Sequence, residues 1–314
     1  MIRLDNVTKV YDAPASLHMI VAADRLTLEI PAGEMFGLVG PNGAGKTTTL
    51  KMVTGLLVPT KGSITVNGID VEHEPEHAQR YLGYLADFFS LYDDLKVWEY
   101  LDYFARAYKM DRGTIPRRID DLLARLGLEP KRNAFIAGLS RGMKQRLGIA
   151  RTLLHDPPVL VLDEPAAGLD PKARVELKQL LLELHSAGKT IFIASHMLSD
   201  IEELCSSIAI MEKGRLLHVG PLKDVMRQLT EARRISIRLA GPGFALADWL
   251  AARTGVRDVH ADAAAAEFAF TGSDAELAEL VRALVAADAP VCGIEEVVET
   301  LEKLFSRLSM GEVM

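Results

Sequence analysis

Leu139-Ser140-Arg141-Gly142-Met143-Lys144-Gln145 opens a segment that runs on to Val159-Leu160-Val161-Leu162-Asp163-Glu164-Pro165. The second stretch is a continuous apolar run that ends in two carboxylates. Such a run reads as a strand buried on both faces, as a parallel sheet requires. Asp163 then leaves the strand at its carboxyl end, where sites form in α/β sheets. Glu164, one residue on, points elsewhere and can polarise an attacking water. The first stretch reads as a helix start. Ser140 is a natural N-cap for a helix over Arg141–Leu154, and a free helix N-terminus beside the flexible Gly142 suits an anion.

Working outward, Phe36-Gly37-Leu38-Val39 is a short apolar strand that runs into Gly40-Pro41-Asn42-Gly43-Ala44-Gly45-Lys46-Thr47-Thr48. A glycine loop between a strand and a helix is the setting in which this spacing binds phosphate. Gly40, Gly43 and Gly45 let backbone N–H groups face a β-phosphate, with Asn42 and Thr48 in the same nucleotide-binding stretch. Lys46 neutralises β/γ-phosphate charge, and the Thr47 hydroxyl ligates Mg²⁺. The helix from Lys46 to Thr54 has Gly55 placed to stop it.

Apolar strands over 159–162, 190–194 and 208–211 alternate with helices over 141–154, 172–186 and 197–205. That rhythm predicts a parallel sheet covered on both faces. Ahead of it, residues 2–10, Leu26/Leu28/Ile30 and Ile64-Thr65-Val66 read as strands of a small antiparallel sheet, with Asn67-Gly68 as a hairpin turn. Residues 88–135 read as a helical insertion. Trp98, Tyr100, Leu101 and Phe104 lie in one helix of it, and Ile119, Leu122, Leu123 and Leu126 form a stripe on another. Glu212-Lys213-Gly214-Arg215 turns the chain back. Beyond about Leu222 the pattern changes to β-α-β-β-α-β, with Ser273-Asp274-Ala275-Glu276 as a capping box, which predicts a ferredoxin-like module.

The chain has 314 residues and a formal net charge of −7. From Glu231 onward there are 8 Lys+Arg against 14 Asp+Glu, so nearly all the excess is in the tail. An acidic tail argues against a nucleic-acid partner and against an electrostatic lipid anchor, since both need cationic patches. No apolar run of about 18 residues is present to span a bilayer. Cys205 and Cys292 lie in no C-x-x-C pattern, which fits a reducing cytoplasm.

Taken in order and spacing, these motifs resemble the nucleotide-binding subunit of an ABC transporter over roughly residues 1–220. The resemblance implies a P-loop NTPase fold of α/β class: an ABC ATPase domain at 1–222 with an antiparallel β subdomain and a helical subdomain at about 88–155, then a small α+β domain at 231–314. It implies ATP and Mg²⁺ as cofactors, with Thr47, Asp87 and Asp163 toward the metal. Asp87 stands where the family commonly has glutamine. His196 resembles the family's switch histidine and contacts the γ-phosphate. Gly168-Leu169-Asp170-Pro171 resembles the loop that communicates across the dimer, and Tyr11 the aromatic that stacks on adenine. The resemblance also implies that Ser140 and Gly142 contact the γ-phosphate of ATP bound on a second subunit. The turn departs from the usual Leu-Ser-Gly-Gly-Gln at Arg141 and Met143. One chain then cannot complete a site, so a head-to-tail homodimer enclosing two ATP is expected. It would be peripheral on the cytoplasmic side of the membrane, docked on a separate permease subunit through Phe88-Phe89-Ser90-Leu91-Tyr92 and Trp98. The expected function is to power an exporter. The alternatives are a soluble ABC-type switch on a non-membrane partner and a regulatory module that binds ATP without hydrolysing it.

Overall fold

A computed structural model describes residues 1–12, 19–87, 91–229, 232–297, 300–302 and 304. The chain divides into two compact units, Met1–Leu222 and Lys223–Met314. The first runs β1 (Ile2–Tyr11), β2 (Ile20–Ile30), β3 (Met35–Val39), α1 (Lys46–Val53), β4 (Lys61–Val66), β5 (Ile69–Asp70), α2 (Pro75–Gln79), β6 (Leu82–Leu85), α3 (Val97–Ala107), α4 (Ile115–Arg125), α5 (Arg141–Leu153), β7 (Val159–Asp163), α6 (Pro171–Ser186), β8 (Thr190–Ser195), α7 (Leu198–Leu204), β9 (Ser207–Glu212) and β10 (Arg215–Pro221).

Two sheets organise this unit. A four-stranded antiparallel sheet has the order β2-β1-β4-β5, and a six-stranded sheet has the order β10-β9-β3-β8-β7-β6. In the larger sheet β9, β3, β8, β7 and β6 run parallel, while β10 turns back as an antiparallel edge. Every residue of β3, β7 and β8 is buried, which is why these strands read as unbroken apolar runs. Gly37 in β3 is needed for close approach. A Cβ there would sit 2.6 Å from Ile201 Cγ2, so α7 could not press against the strand.

Two local features differ from the sequence expectation, in β1 and β6. In β1 the alternation breaks: Ile2, Leu4 and Val7 are all buried, because Asn6 takes φ +52° and shifts the pairing by a bulge. β6 was not expected at all. It is short, and its Gly83 lets Thr152 pack against it: a Cβ would lie 2.6 Å from the Thr152 carbonyl oxygen. The insertion holds α3 and α4, with a buried stripe of Ile115, Ile119, Leu122 and Leu123 along α4. Arg118 on α4 donates to the carbonyls of Leu153 and Leu154 at 2.7 and 3.0 Å, satisfying the end of α5.

The second unit begins with α8 (Leu222–Leu229) and continues β11 (Arg233–Leu239), α9 (Leu246–Ala251), β12 (Val256–Ala261), β13 (Ala265–Phe270), α10 (Asp274–Ala286) and β14 (Val291–Val297). Its antiparallel sheet has the order β12-β13-β11-β14. Ile235, Ile237, Phe268, Phe270, Leu280 and Leu284 pack in its core. At the start of α10, Ser273 Oγ accepts the Glu276 N–H and the Glu276 carboxylate accepts the Ser273 N–H, the expected capping box. Both cysteines are free, and burial pushes the Cys205 thiol up to about 12.

Candidate active site

The parallel register decides which loops meet. Val39 pairs with Ser195 across β3 and β8, Asp163 with Ala194 across β7 and β8, and Leu85 with Leu162 across β6 and β7. The segments after β3, β6, β7 and β8 therefore leave the same edge of the sheet. These are Gly40–Thr48, Asp87, Glu164 and His196.

The glycine loop is closed over by neighbouring backbone. A Cβ at Gly40 would lie 2.2 Å from the Met211 carbonyl oxygen, and one at Gly45, which takes φ +109°, 2.2 Å from that of Ala22. Lys46 Nζ donates to the carbonyls of Gly40 at 2.7 Å and Pro41 at 3.2 Å, and lies 3.9 Å from Glu164 Oε1. It is only 7% exposed. Burial holds its ammonium below the ordinary lysine range, against the pull of Glu164 and Asp163. A phosphate group placed in this loop relieves that cost.

Asp163 is 1% exposed, and among the described residues neither carboxylate oxygen has a hydrogen-bond partner. Burial is the main reason its pKa is raised. The Thr47 hydroxyl lowers it without closing a hydrogen bond of normal geometry, while Glu164 and Asp87 push it up and Lys46 pulls it down. An orphaned carboxylate facing a hydroxyl is an oxygen donor set for a hard cation. Among the described residues there is no cluster of three or more His, Cys, Asp or Glu. Mg²⁺ needs none, since beside a nucleotide it takes one or two carboxylates with phosphate and water. The residues present fit that ion.

Glu164 is oriented differently from its neighbour. Its backbone takes φ +49°, and its N–H donates to the Ala194 carbonyl at 2.9 Å. This turns the side chain toward the end of β8. Oε1 accepts the His196 backbone N–H at 2.9 Å; Oε2 accepts the Ser195 hydroxyl at 3.1 Å and lies 2.9 Å from His196 Nδ1. Ser195 had no role in the sequence reading, although its place beside His196 was a signal. The carboxylate is fixed from two sides, with His196 half-exposed beside it.

Ser140 caps α5, accepting the Met143 N–H at 3.3 Å, and Asp170 caps α6, accepting the Ala173 N–H at 2.9 Å, with Pro171 in the first turn. Gly142 faces Ala173 and Leu169 of its own chain. The turn is tied to the segment after Glu164. Gln145 Nε2 donates to the Pro165 carbonyl at 2.7 Å, and Arg141 Nη2 to that of Ala167 at 3.4 Å, with the guanidinium lying over Gly168. Both contacts were invisible in the sequence. Tyr11, 38% exposed, ends β1 opposite Ile20, on the same hairpin end as the Ala22 carbonyl that closes over Gly45.

The ABC transporter family matches residues 23–167 of this chain. The ABC transporter ATP-binding protein NatA of Bacillus subtilis (strain 168) is 36% identical over 208 residues, which is 66% of this chain and 85% of that protein. The chain belongs to the ATP-binding subunits of ABC transporters. It is thus an ABC ATPase that binds and hydrolyses ATP. Nod factor export ATP-binding protein I of Cupriavidus metallidurans is 38% identical over 220 residues, 70% of this chain and 71% of that one. A dimeric post-hydrolysis state of the ATP-binding cassette MJ0796, bound to ADP and Pi, superposes with a TM-score of 0.65 at 28% identity, covering 71% of this ABC ATPase and 99% of that chain. ABC ATPases dimerise and work with transmembrane subunits. Among the described residues of this one, no helix is long and apolar enough to cross a membrane.

Proposed function

We propose that this ABC ATPase powers export through a separate membrane permease, as a head-to-tail homodimer that closes on two ATP at the cytoplasmic face of the membrane. The observation that carries the dimer is the place of Ser140, exposed at the N-cap of α5, with Gly142 turned toward Ala173 and Leu169 rather than toward Gly40–Thr48 of its own chain. Their helix N-terminus is left to serve an anion brought by a second copy. The dimeric cassette MJ0796 supports the same reading. The relative named for Nod factor export supports the export reading. A soluble switch has no supporting observation of that kind.

In this reading Gly40–Thr48 cradle the phosphates and Tyr11 stacks on adenine. Thr47, Asp163 and Asp87 hold Mg²⁺, which supplies charge neutralisation for the phosphates when bound. Glu164 accepts the proton of the attacking water, and Ser195 and His196 fix its carboxylate. Asp170 holds the loop that faces the second copy. On the permease side, Phe88, Phe89 and Ser90 lie outside the described residues. Trp98 is half-buried beneath Arg132, whose guanidinium is 5.6 Å from the ring centroid, which makes it a weaker docking residue than expected. Tyr92 and Tyr103, 51% and 55% exposed and in edge contact with each other, take its place. The second unit, ferredoxin-like in element and strand order, is an accessory domain.

The test is complementation. Lys46→Ala and Ser140→Ala chains, each inactive alone, are mixed. If Ser140 acts on a partner's ATP, half of the sites in a mixed dimer carry both defects and half carry neither, so hydrolysis returns. Heterodimers that form and remain inactive would overturn the head-to-tail arrangement.

A further inference from the structure

Lys178 and Asp200 form an ion pair away from the nucleotide loop. Lys178 lies on α6, which Asp170 caps, and Asp200 on α7, which starts directly after His196 and Met197. Lys178 Nζ is 3.0 Å from Asp200 Oδ1 and 2.7 Å from Glu203 Oε2, one turn further along α7. Asp200 is buried, and the Lys178 side chain is 17% exposed. Between the two helices lies a small apolar cleft lined by Leu177, Leu181, Ile193 and Leu204.

A buried ion pair in such surroundings is poor packing. Apolar residues of similar volume usually stabilise as well or better, because removing two charges from water costs several kcal/mol per ion, on the order of what their attraction returns. What a pair adds is direction. On its other side α7 is pressed against β3 through Ile201 and Gly37. On the α6 side Lys178 holds it at two points.

The far end of this arrangement is the catalytic carboxylate. The N–H of Met197, the N-cap of α7, donates to Ser195 Oγ at 3.0 Å, and that hydroxyl donates to Glu164 Oε2. The next N–H back, that of His196, donates to Glu164 Oε1. A shift of α7 therefore moves both groups that grip Glu164.

We propose that Lys178 and Asp200 are positioning residues, a clamp between α6 and α7 that sets the Ser195 and His196 grip on Glu164 and links it to the Asp170 loop at the head of α6. The inference rests on the reading of Glu164 as general base.

The experiment uses the full chain. Asp200→Asn keeps the side-chain shape, and Lys178 keeps Glu203, so no charge is stranded. The expected result is a fall in kcat of about tenfold, since small misplacements of catalytic groups cost one to two orders of magnitude. KM for ATP and the fraction of chains that bind ATP stay unchanged, because Gly40–Thr48 do not touch the clamp. In a Glu164→Gln background the same substitution produces no further loss. Lys178→Met/Asp200→Asn, which removes both buried charges, shows the same pattern and serves if the single variant folds poorly. A kcat per ATP-binding chain equal to the parent overturns the clamp, as does an equal fold loss on the Glu164→Gln background. If Glu164→Gln itself hydrolyses ATP at the parent rate, the base assignment fails and takes the clamp's role with it.

Discussion

At the carboxyl edge of the parallel sheet, Lys46, Asp163 and Ser195 are buried together, and Asp200 lies buried on the helix behind them. In the sheet of β11 to β14 the buried side chains are all apolar, and its excess of acidic residues is left at the surface. Both regions are sheets covered by helices. Only the first tolerates polar groups whose desolvation is not repaid within the chain, such as the two unpartnered oxygens of Asp163. Buried polar atoms are nearly always satisfied, so an exception at a strand end marks a place built for something the chain does not itself supply. The second unit has the economy of a domain whose interior serves only its own stability.

The largest effect that bears on this contrast is at Glu164. Glu164→Gln keeps the shape of the side chain and removes the base, so turnover falls by about 10²–10⁴-fold while ATP binding persists. Equilibrium binding and steady-state hydrolysis on the same preparation check it, and an undiminished rate would move the base elsewhere.

Asp163→Asn gives an intermediate effect of opposite sign in stability. The folded-state pKa of Asp163 is raised, chiefly by burial. The folded chain thus holds that proton more tightly than the unfolded one. The stability this contributes is complete below the unfolded value of about 3.9 and is lost as pH rises through the raised folded value. At neutral pH the nucleotide-free Asn variant is therefore more stable than the parent, because the amide carries no charge to desolvate, and the gap narrows toward acid. Denaturant titrations at several pH values measure it. Adding Mg²⁺ with ATP reverses the order, because only the parent keeps the buried Asp163 carboxylate beside Thr47 for the ion. A parent more stable than the variant without nucleotide would mean the carboxylate already has its partner.

The smallest effect tests the second unit. Truncation after residue 230 removes the β11–β14 sheet and leaves Gly40–Thr48, Asp163 and Glu164 in place. ATP affinity should change by less than about 0.5 kcal/mol, the limit for independent sites. A larger loss in a direct titration would mean that the second unit takes part in nucleotide binding.

Much of the site was legible because its parts are local. Gly45, Lys46 and Thr47 are one loop and one helix start. Ser140 and Ser273 announce their helices by capping chemistry. β6 was missed because a strand of Leu82–Leu85 is too short to show a period. The phase break in β1 was missed because a left-handed Asn6 leaves no trace in an apolar pattern. The Arg132 guanidinium over Trp98 comes from far along the chain, so no local pattern shows it.

The sequence alone determined most of the strands, the phosphate loop, the carboxylate pair and the helix starts at Ser140 and Ser273, because each is set by neighbours a few residues away. Tertiary structure decided what those groups face. It left the Asp163 oxygens without partners, bound Glu164 to Ser195 and His196, tied Gln145 and Arg141 to the loop after Glu164, and joined Lys178 to Asp200. Each of these depends on the order and register of parallel strands, which bring together residues distant in sequence. Hydrophobic periodicity shows which face of a strand is buried, but not which strand lies beside it.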